Sequence, residues 1–254
     1  MCERKQVLLL GGLGVIGRIL WRSLAKEYKL LVGDLAEIPV YDSMEYRRID
    51  ITDYEALCNN IPKGTYAIIN LIGMPRQERV VNVPTFKEMM AVYGEGTYNV
   101  LQAACVAGVE KVILASTNHV TGMSEQEGLS LLGKEIDLST YPKPDDIYGG
   151  FKLAQESWAR VVSDVSGLSV ICLRIGTVAE NECEALRKNK RFRRTLLSQV
   201  DCVELFKCAL EAKVKFGIYY GVSDNPEKPW SIRNAVDELH YKPIRNVEQV
   251  LKDC

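Results

Sequence analysis

The chain is poor in histidine: 254 residues contain two, His119 and His240. None of its eight cysteines forms a Cys-x-x-Cys pair. These two scarcities argue against a metal site, zinc in particular. No apolar run reaches the length of a membrane span. No signal-peptide pattern precedes the first strand-like run, so a cytoplasmic protein is expected. Charge of one sign is not in excess. The net charge of −1 gives no footprint for a nucleic-acid or membrane partner. Internal repeats and low-complexity linkers are also missing, so residues 1–254 are read as one unit. Cys58, Cys105, Cys172 and Cys208 lie in apolar segments and read as core thiols. In a reducing compartment, reduced cysteines are expected rather than a paired set.

What is present begins with Gln6–Asp34, QVLLLGGLGVIGRILWRSLAKEYKLLVGD. Val7–Leu10 is a short apolar run, read as a buried strand. Gly11, Gly14 and Gly17 follow at three-residue spacing, and apolar residues then recur at helical spacing from Val15 to Leu24. Lys29–Gly33 is a second apolar run, ending at Asp34. In a dinucleotide site Gly11 permits the tight turn, Gly14 lets the backbone approach a pyrophosphate, and Gly17 lets the helix pack on the sheet. The helix N-terminus offers free N–H groups to phosphates. Asp34 can accept hydrogen bonds from the adenosine ribose and would repel a 2′-phosphate, which favours NAD over NADP.

Strand and helix signals alternate along the rest of the chain, as in a parallel sheet with helices on both faces. Tyr46–Ile49 reads as a strand, and Thr52 or Asp53 as the cap of a helix through Cys58. Asp50 reads either as an adenine contact or as a solvated turn acid. Tyr66–Ile72 is the next strand, with Leu71, Ile72 and Gly73 at its ligand-binding end. Met74–Val83 reads as a mobile polar loop. Pro84 suits the first turn of a helix that breaks near Gly94 and Gly96 and closes at Gly108. Val109–Ala115 runs into Ser116-Thr117-Asn118-His119, four polar residues where a core needs none. Tyr148 and Lys152 share a helix face. An ammonium near a phenol lowers its pKa and suits the phenol for acid or base work. After the strand Leu168–Leu173 and Arg174-Ile175-Gly176-Thr177 comes a basic stretch to Ser198, which reads either as a solvated face or as a segment that closes over an anionic substrate. Asp201–Ala212 reads as a helix, Phe216–Gly221 as the last strand and Ile232–Leu239 as the last helix.

Gly11-x-x-Gly14-x-x-Gly17, Asp34, Asp50-Ile51-Thr52-Asp53 and Tyr148-x-x-x-Lys152 together resemble the extended short-chain dehydrogenases/reductases. Within them the chain looks most like uronate dehydrogenases, through Val112–His119, Cys172–Thr177 and the arginine-rich stretch. The resemblance implies an α/β fold: a Rossmann-type doubly wound parallel sheet with a small C-terminal substrate-binding region and segments at about 174–200. It implies Tyr148, Lys152 and Thr117 as catalytic residues. The implied cofactor set is Gly11, Gly14, Val15, Ile16, Gly17, Asp34, Asp50, Ile51, Leu71, Ile72, Gly73, Ser116 and Lys152, with NAD as cofactor. It implies Asn118, His119, Thr177 and Arg194 (or Arg193 beside it) as substrate-binding, and a homo-oligomer. The implied reaction is oxidation of a uronic acid at its anomeric carbon. A glucose 6-phosphate dehydrogenase, a nucleotide-sugar epimerase or dehydratase, and a non-catalytic NAD-binding regulator are the alternatives. Four positions depart from the pattern. Pro75 and Tyr93 stand where a serine and an asparagine are usual, Phe151 stands before the lysine, and the loop with Arg76 and Arg79 is long.

Overall fold

A computed structural model describes residues 4–36, 41 and 43–254. Part of the connection after Asp34, and Cys2, lie outside the described residues. The first half alternates strands and helices: β1 (Gln6–Leu10), α1 (Val15–Leu24), β2 (Lys29–Asp34), β3 (Tyr46–Arg48), α2 (Tyr54–Asn60) and β4 (Thr65–Asn70). Then come α3 (Val83–Met89), a π-helical turn at Met90–Gly96, α4 (Thr97–Val106) and β5 (Lys111–Thr117). A 3-10 segment at Asn118–Ser124 leads into a short hairpin, β6 (Glu125–Gln126) and β7 (Leu129–Ser130). The long helix α5 (Ile147–Ser166) and β8 (Ser169–Ile175) follow. The chain continues with α6 (Glu182–Lys188), α7 (Phe192–Thr195), α8 (Gln199–Glu211), β9 (Phe216–Gly221), α9 (Arg233–Leu239) and α10 (Val247–Lys252).

Seven strands form one sheet in the order β3-β2-β1-β4-β5-β8-β9, and every pairing in it is parallel. Successive side chains of a strand point to opposite faces, and β1 shows the result. Val7 and Leu9 pack in one apolar layer with Leu20 and Leu24 of α1 and Leu205 and Phe206 of α8. Leu8 and Leu10 pack in the other with Leu57 of α2, Leu101 of α4 and Ala159 of α5. Both faces are covered, as an all-parallel sheet requires. The strand order reverses between β1 and β4, which opens a crevice at the carboxyl ends of the strands.

The expected fold class is therefore present, with local differences. Asp53 is the cap of α2, accepting from the Ala56 N–H, and Asn82 caps α3 with Pro84 in its first turn. The expected break near Gly94 is a π turn, a form common at functional sites. Helix α10 was not expected, although Asn246 and Gln249 form a capping box that the sequence spells out. The expectation of unpaired cysteines needs correction. Cys183 and Cys254 form a disulfide across 71 positions. Packing of α10 on α6 around Leu186, Val247 and Val250 brings them together. Among the described residues, Cys172 and Cys202 are buried free thiols, while Cys58, Cys105 and Cys208 are partly exposed.

Candidate active site

The glycine turn leaves no room for side chains. Gly11 has φ +73°, and a Cβ there would lie 2.9 Å from the Ile72 nitrogen. A Cβ on Gly17 would lie 2.4 Å from the Gly12 Cα, so α1 seats directly on the turn. Gly14 caps α1 without a side-chain hydrogen bond, and the first turn holds no acid. Its N–H groups face the crevice free for an anion. Asp34, at the end of β2, accepts the Leu13 N–H at 3.0 Å and the Ala36 N–H at 3.2 Å. The carboxylate is thereby fixed beside the turn.

Three adjoining cavities run from Asp34 across the sheet ends. The first, about 360 Å³, is walled by Gly11, Asp34, Asp50, Ile51 and Thr52. The second, about 320 Å³, shares Gly11, Gly14, Leu71, Ile72 and Gly73 with it and extends past Val15, Ile16 and Gly17 to Ser116 and Lys152. The third, about 350 Å³, shares Thr117, Tyr148 and Gly176 with the second. The trough has the shape a dinucleotide needs, with a separate chamber at its far end. The residues present thus fit NAD, which the turn, the α1 terminus and Asp34 would hold. Asp50 lines the trough, and its Oδ1 closes a turn on the Thr52 N–H and hydroxyl. Ser116 lines the trough too, but its hydroxyl donates to Glu156 at 2.6 Å.

Tyr148, Thr117 and Lys152 meet where the second and third cavities join. Asp146 caps α5 by accepting the Gly149 N–H, which starts the helix so that Tyr148 and Lys152 face the end of β5. Tyr148 and Thr117 line both the second and the third cavity, and the Thr117 hydroxyl donates to the Asn118 Oδ1 at 3.3 Å. The Lys152 ammonium donates to the Ala115 carbonyl at 2.7 Å and lies 5.8 Å from the Tyr148 ring centroid. Burial pulls Lys152 down to about 8. Burial also pushes the Tyr148 phenol up, the nearby Tyr93 adds to this, and the Thr117 hydroxyl works against it. The expected lowering of the tyrosine by its lysine neighbour is thus not what these residues achieve alone, because desolvation is the larger effect.

Asn118 and His119 line the third cavity, as does Thr177, whose hydroxyl meets that of Thr195 at 2.9 Å. The His119 Nδ1 lies 2.9 Å from Asp145 and 3.3 Å from Asp146. Burial alone would lower its pKa, but the two carboxylates outweigh it, Asp145 first, and raise it to about 9. His119 is therefore an imidazolium at neutral pH. Arg194 is not brought to this chamber. Its guanidinium lies 3.2 Å from Glu227 and reaches the Glu127 carbonyl. Arg191, one turn earlier, lines the cavity instead and is held by both oxygens of Glu125, at 3.1 and 2.6 Å. The structure thus puts Arg191 on the chamber wall, while α7 turns Arg194 away from it toward Glu227.

Two features had weak or no signals. Tyr93, from the π turn, is fully buried; its hydroxyl accepts the Met74 N–H at 2.7 Å and its ring stands 5.5 Å from that of Tyr148. Behind Ser116, Arg174 binds Glu156 through two hydrogen bonds, at 2.9 and 2.7 Å, and reaches the Tyr220 hydroxyl at 3.0 Å. A glutamate on the buried face of α5, four residues after Lys152, was the only sequence sign of this network.

The NAD dependent epimerase/dehydratase family model matches residues 7–200. The chain belongs to that family. It is an enzyme of this NAD-dependent class, with NAD as its cofactor. Three relatives span nearly the whole chain. The uncharacterized protein YtbQ of Bacillus subtilis is 40% identical over 249 residues, covering 98% of each chain. The NAD-dependent glucose-6-phosphate dehydrogenase of Haloferax volcanii is 31% identical, over 94% of this chain and 93% of its own. The uronate dehydrogenase of Pseudomonas syringae pv. tomato is 30% identical, over 94% and 81% respectively. No helix among the described residues is long and apolar enough to cross a membrane.

Proposed function

We propose that this family member oxidises the anomeric carbon of a uronic acid, glucuronate or galacturonate, to the aldarolactone with NAD. The reading is carried by one observation: Tyr148 and Thr117 stand together on the wall shared by the trough and the chamber, with Lys152 beside them in the trough. A sugar hydroxyl in the chamber is within reach of both. Tyr148 takes the proton of the C1 hydroxyl, and Thr117 holds the same oxygen. Bound NAD supplies the hydride acceptor and a positive charge that favours the phenolate. Lys152 adds its ammonium, held by the Ala115 carbonyl, to the same field. Asn118, Thr177 and the His119 imidazolium orient the sugar, so the rate gain from positioning comes from rigid strand ends. Removal of one proton and one hydride from the lactol gives the lactone, NADH and a free proton.

A sugar phosphate is the second reading, favoured by the 31% identity to a glucose-6-phosphate dehydrogenase of nearly equal length. NADH formation, followed with NAD and glucuronate, galacturonate, glucose 6-phosphate or glucose, separates the two. Fast turnover of a uronate is expected. Turnover of the phosphate alone moves the substrate to the second reading, and silence with every sugar overturns both.

A further inference from the structure

The proposed reaction leaves open which residue holds the substrate's anionic group. Three cations line the chamber: His119, Arg191 and Arg76. Arg191 is neutralised by the bidentate Glu125 contact. His119 lies between Asp145 and Asp146, with only the exposed Arg79 near Asp145, at 3.8 Å. Each of these cations already has a carboxylate partner, so each offers less net charge to a new anion. Arg76 has no carboxylate partner among the described residues.

The segment around Arg76 is hydrogen-bonded at both ends. The Met74 N–H is fixed to the Tyr93 hydroxyl at 2.7 Å, and the Arg79 carbonyl accepts the Ile147 N–H at 3.0 Å. Ile147 directly precedes Tyr148. Between these pins, Pro75 restricts its own φ, and the Gln77 amide closes onto the Pro75 carbonyl at 2.9 Å. The segment expected to be mobile is thus tied at both ends to the elements that carry Tyr93 and Tyr148. A guanidinium presents a planar fork of donors that matches carboxylate and phosphate alike.

Resting on the proposed sugar oxidation, we propose that Arg76 binds the anionic group of the substrate, and that Tyr93 positions it by anchoring Met74. Discrimination between anionic and neutral sugars then lies in the loop after β4, not in the arginine-rich stretch.

The test compares wild type, Arg76→Ala, Arg76→Lys, Tyr93→Phe and Arg194→Ala with glucuronate, glucose 6-phosphate and glucose. Arg76→Ala is expected to raise KM for the anionic substrate about 10- to 100-fold, the size of one charge-assisted contact. Its kcat is expected to stay within about threefold, and glucose turnover within about twofold. Arg76→Lys recovers part of the loss, Tyr93→Phe raises KM for the anion, and Arg194→Ala changes nothing. A KM loss confined to glucuronate identifies a carboxylate, and one confined to glucose 6-phosphate a phosphate. Equal KM values in wild type and Arg76→Ala overturn the proposal. A second readout is independent of turnover: the melting temperature of the NAD-loaded protein with added glucuronate or inorganic phosphate. If no sugar is oxidised, the reaction reading fails by itself. Arg76 then stands if the anion raises the melting temperature of wild type and not of Arg76→Ala, and falls if it raises both or neither.

Discussion

At the scale of single residues, two side chains set the chemistry of the trough and chamber through charge. Asp34 was legible because a carboxylate at the end of the second strand, after a glycine turn, has few structural duties. Its hydrogen bonds to the Leu13 and Ala36 N–H groups hold it beside the turn. Replacement by alanine is expected to raise the NADP-to-NAD ratio of kcat/KM by about tenfold or more, since repulsion of a 2′-phosphate is lost. An unchanged ratio would remove Asp34 from cofactor choice. His119 was legible as polar, but its charge was not, because Asp145 and Asp146 approach from across a loop. Its pKa is raised above the ordinary 6.5 to about 9. The stabilisation it gives is therefore full below about pH 6.5 and fades as pH climbs through about 9. With only two histidines in the chain, an NMR titration resolves it. A midpoint near 9 is expected in wild type, falling toward 6.5 in Asp145→Asn. The stability difference between the two proteins should shrink above pH 9.

At the scale of elements, local signals carried far. The turn glycines, the Asp53 cap, Pro84 and the Tyr148–Lys152 face were all readable, since each depends on neighbours within a few residues. Contacts between elements were not. Arg174 ends β8 and Glu156 lies on α5, and their pairing depends on how that helix packs over the sheet. The pair is nearly solvent-free, with Ser116 and Tyr220 as further partners. Glu156→Ala strands a buried guanidinium and is expected to cost about 3–5 kcal/mol in urea unfolding. The double variant Glu156→Leu with Arg174→Met should recover much of that, because two apolar groups replace a satisfied pair with little penalty. A single-variant cost under about 1 kcal/mol would show that the network is not what joins α5 to β8. The register of Arg191 and Arg194 was hidden for a similar reason. Arginines crowd this stretch of sequence, and only Glu125 on the hairpin distinguishes the one that faces inward.

For the whole molecule, the alternation of strands and helices revealed the sheet, while the closure of the C-terminal region was invisible. No spacing rule links Cys183 with Cys254. The fold brings α10 onto α6, and the Leu186–Leu196–Val247–Val250 cluster they share also packs against Phe192, which lines the chamber. The disulfide closes a loop of 71 positions, for which about 2–4 kcal/mol is typical. Cys254→Ser is expected to lower stability by that amount, and thiol titration of the denatured, unreduced protein should find two fewer than its eight cysteines. A full set of reactive thiols would contradict the linkage.

The central claim is that the bond broken on the sugar is the C1–H bond, with Tyr148 taking the hydroxyl proton. Glucuronate deuterated at C1, offered with NAD to wild type and to Tyr148→Phe, tests both halves together. Deuterium should appear in NADH from the wild-type reaction, and Tyr148→Phe should lose about 10²- to 10⁴-fold in kcat while its stability and NAD affinity stay close to wild type. NADH without deuterium, or full turnover by Tyr148→Phe, would contradict the claim.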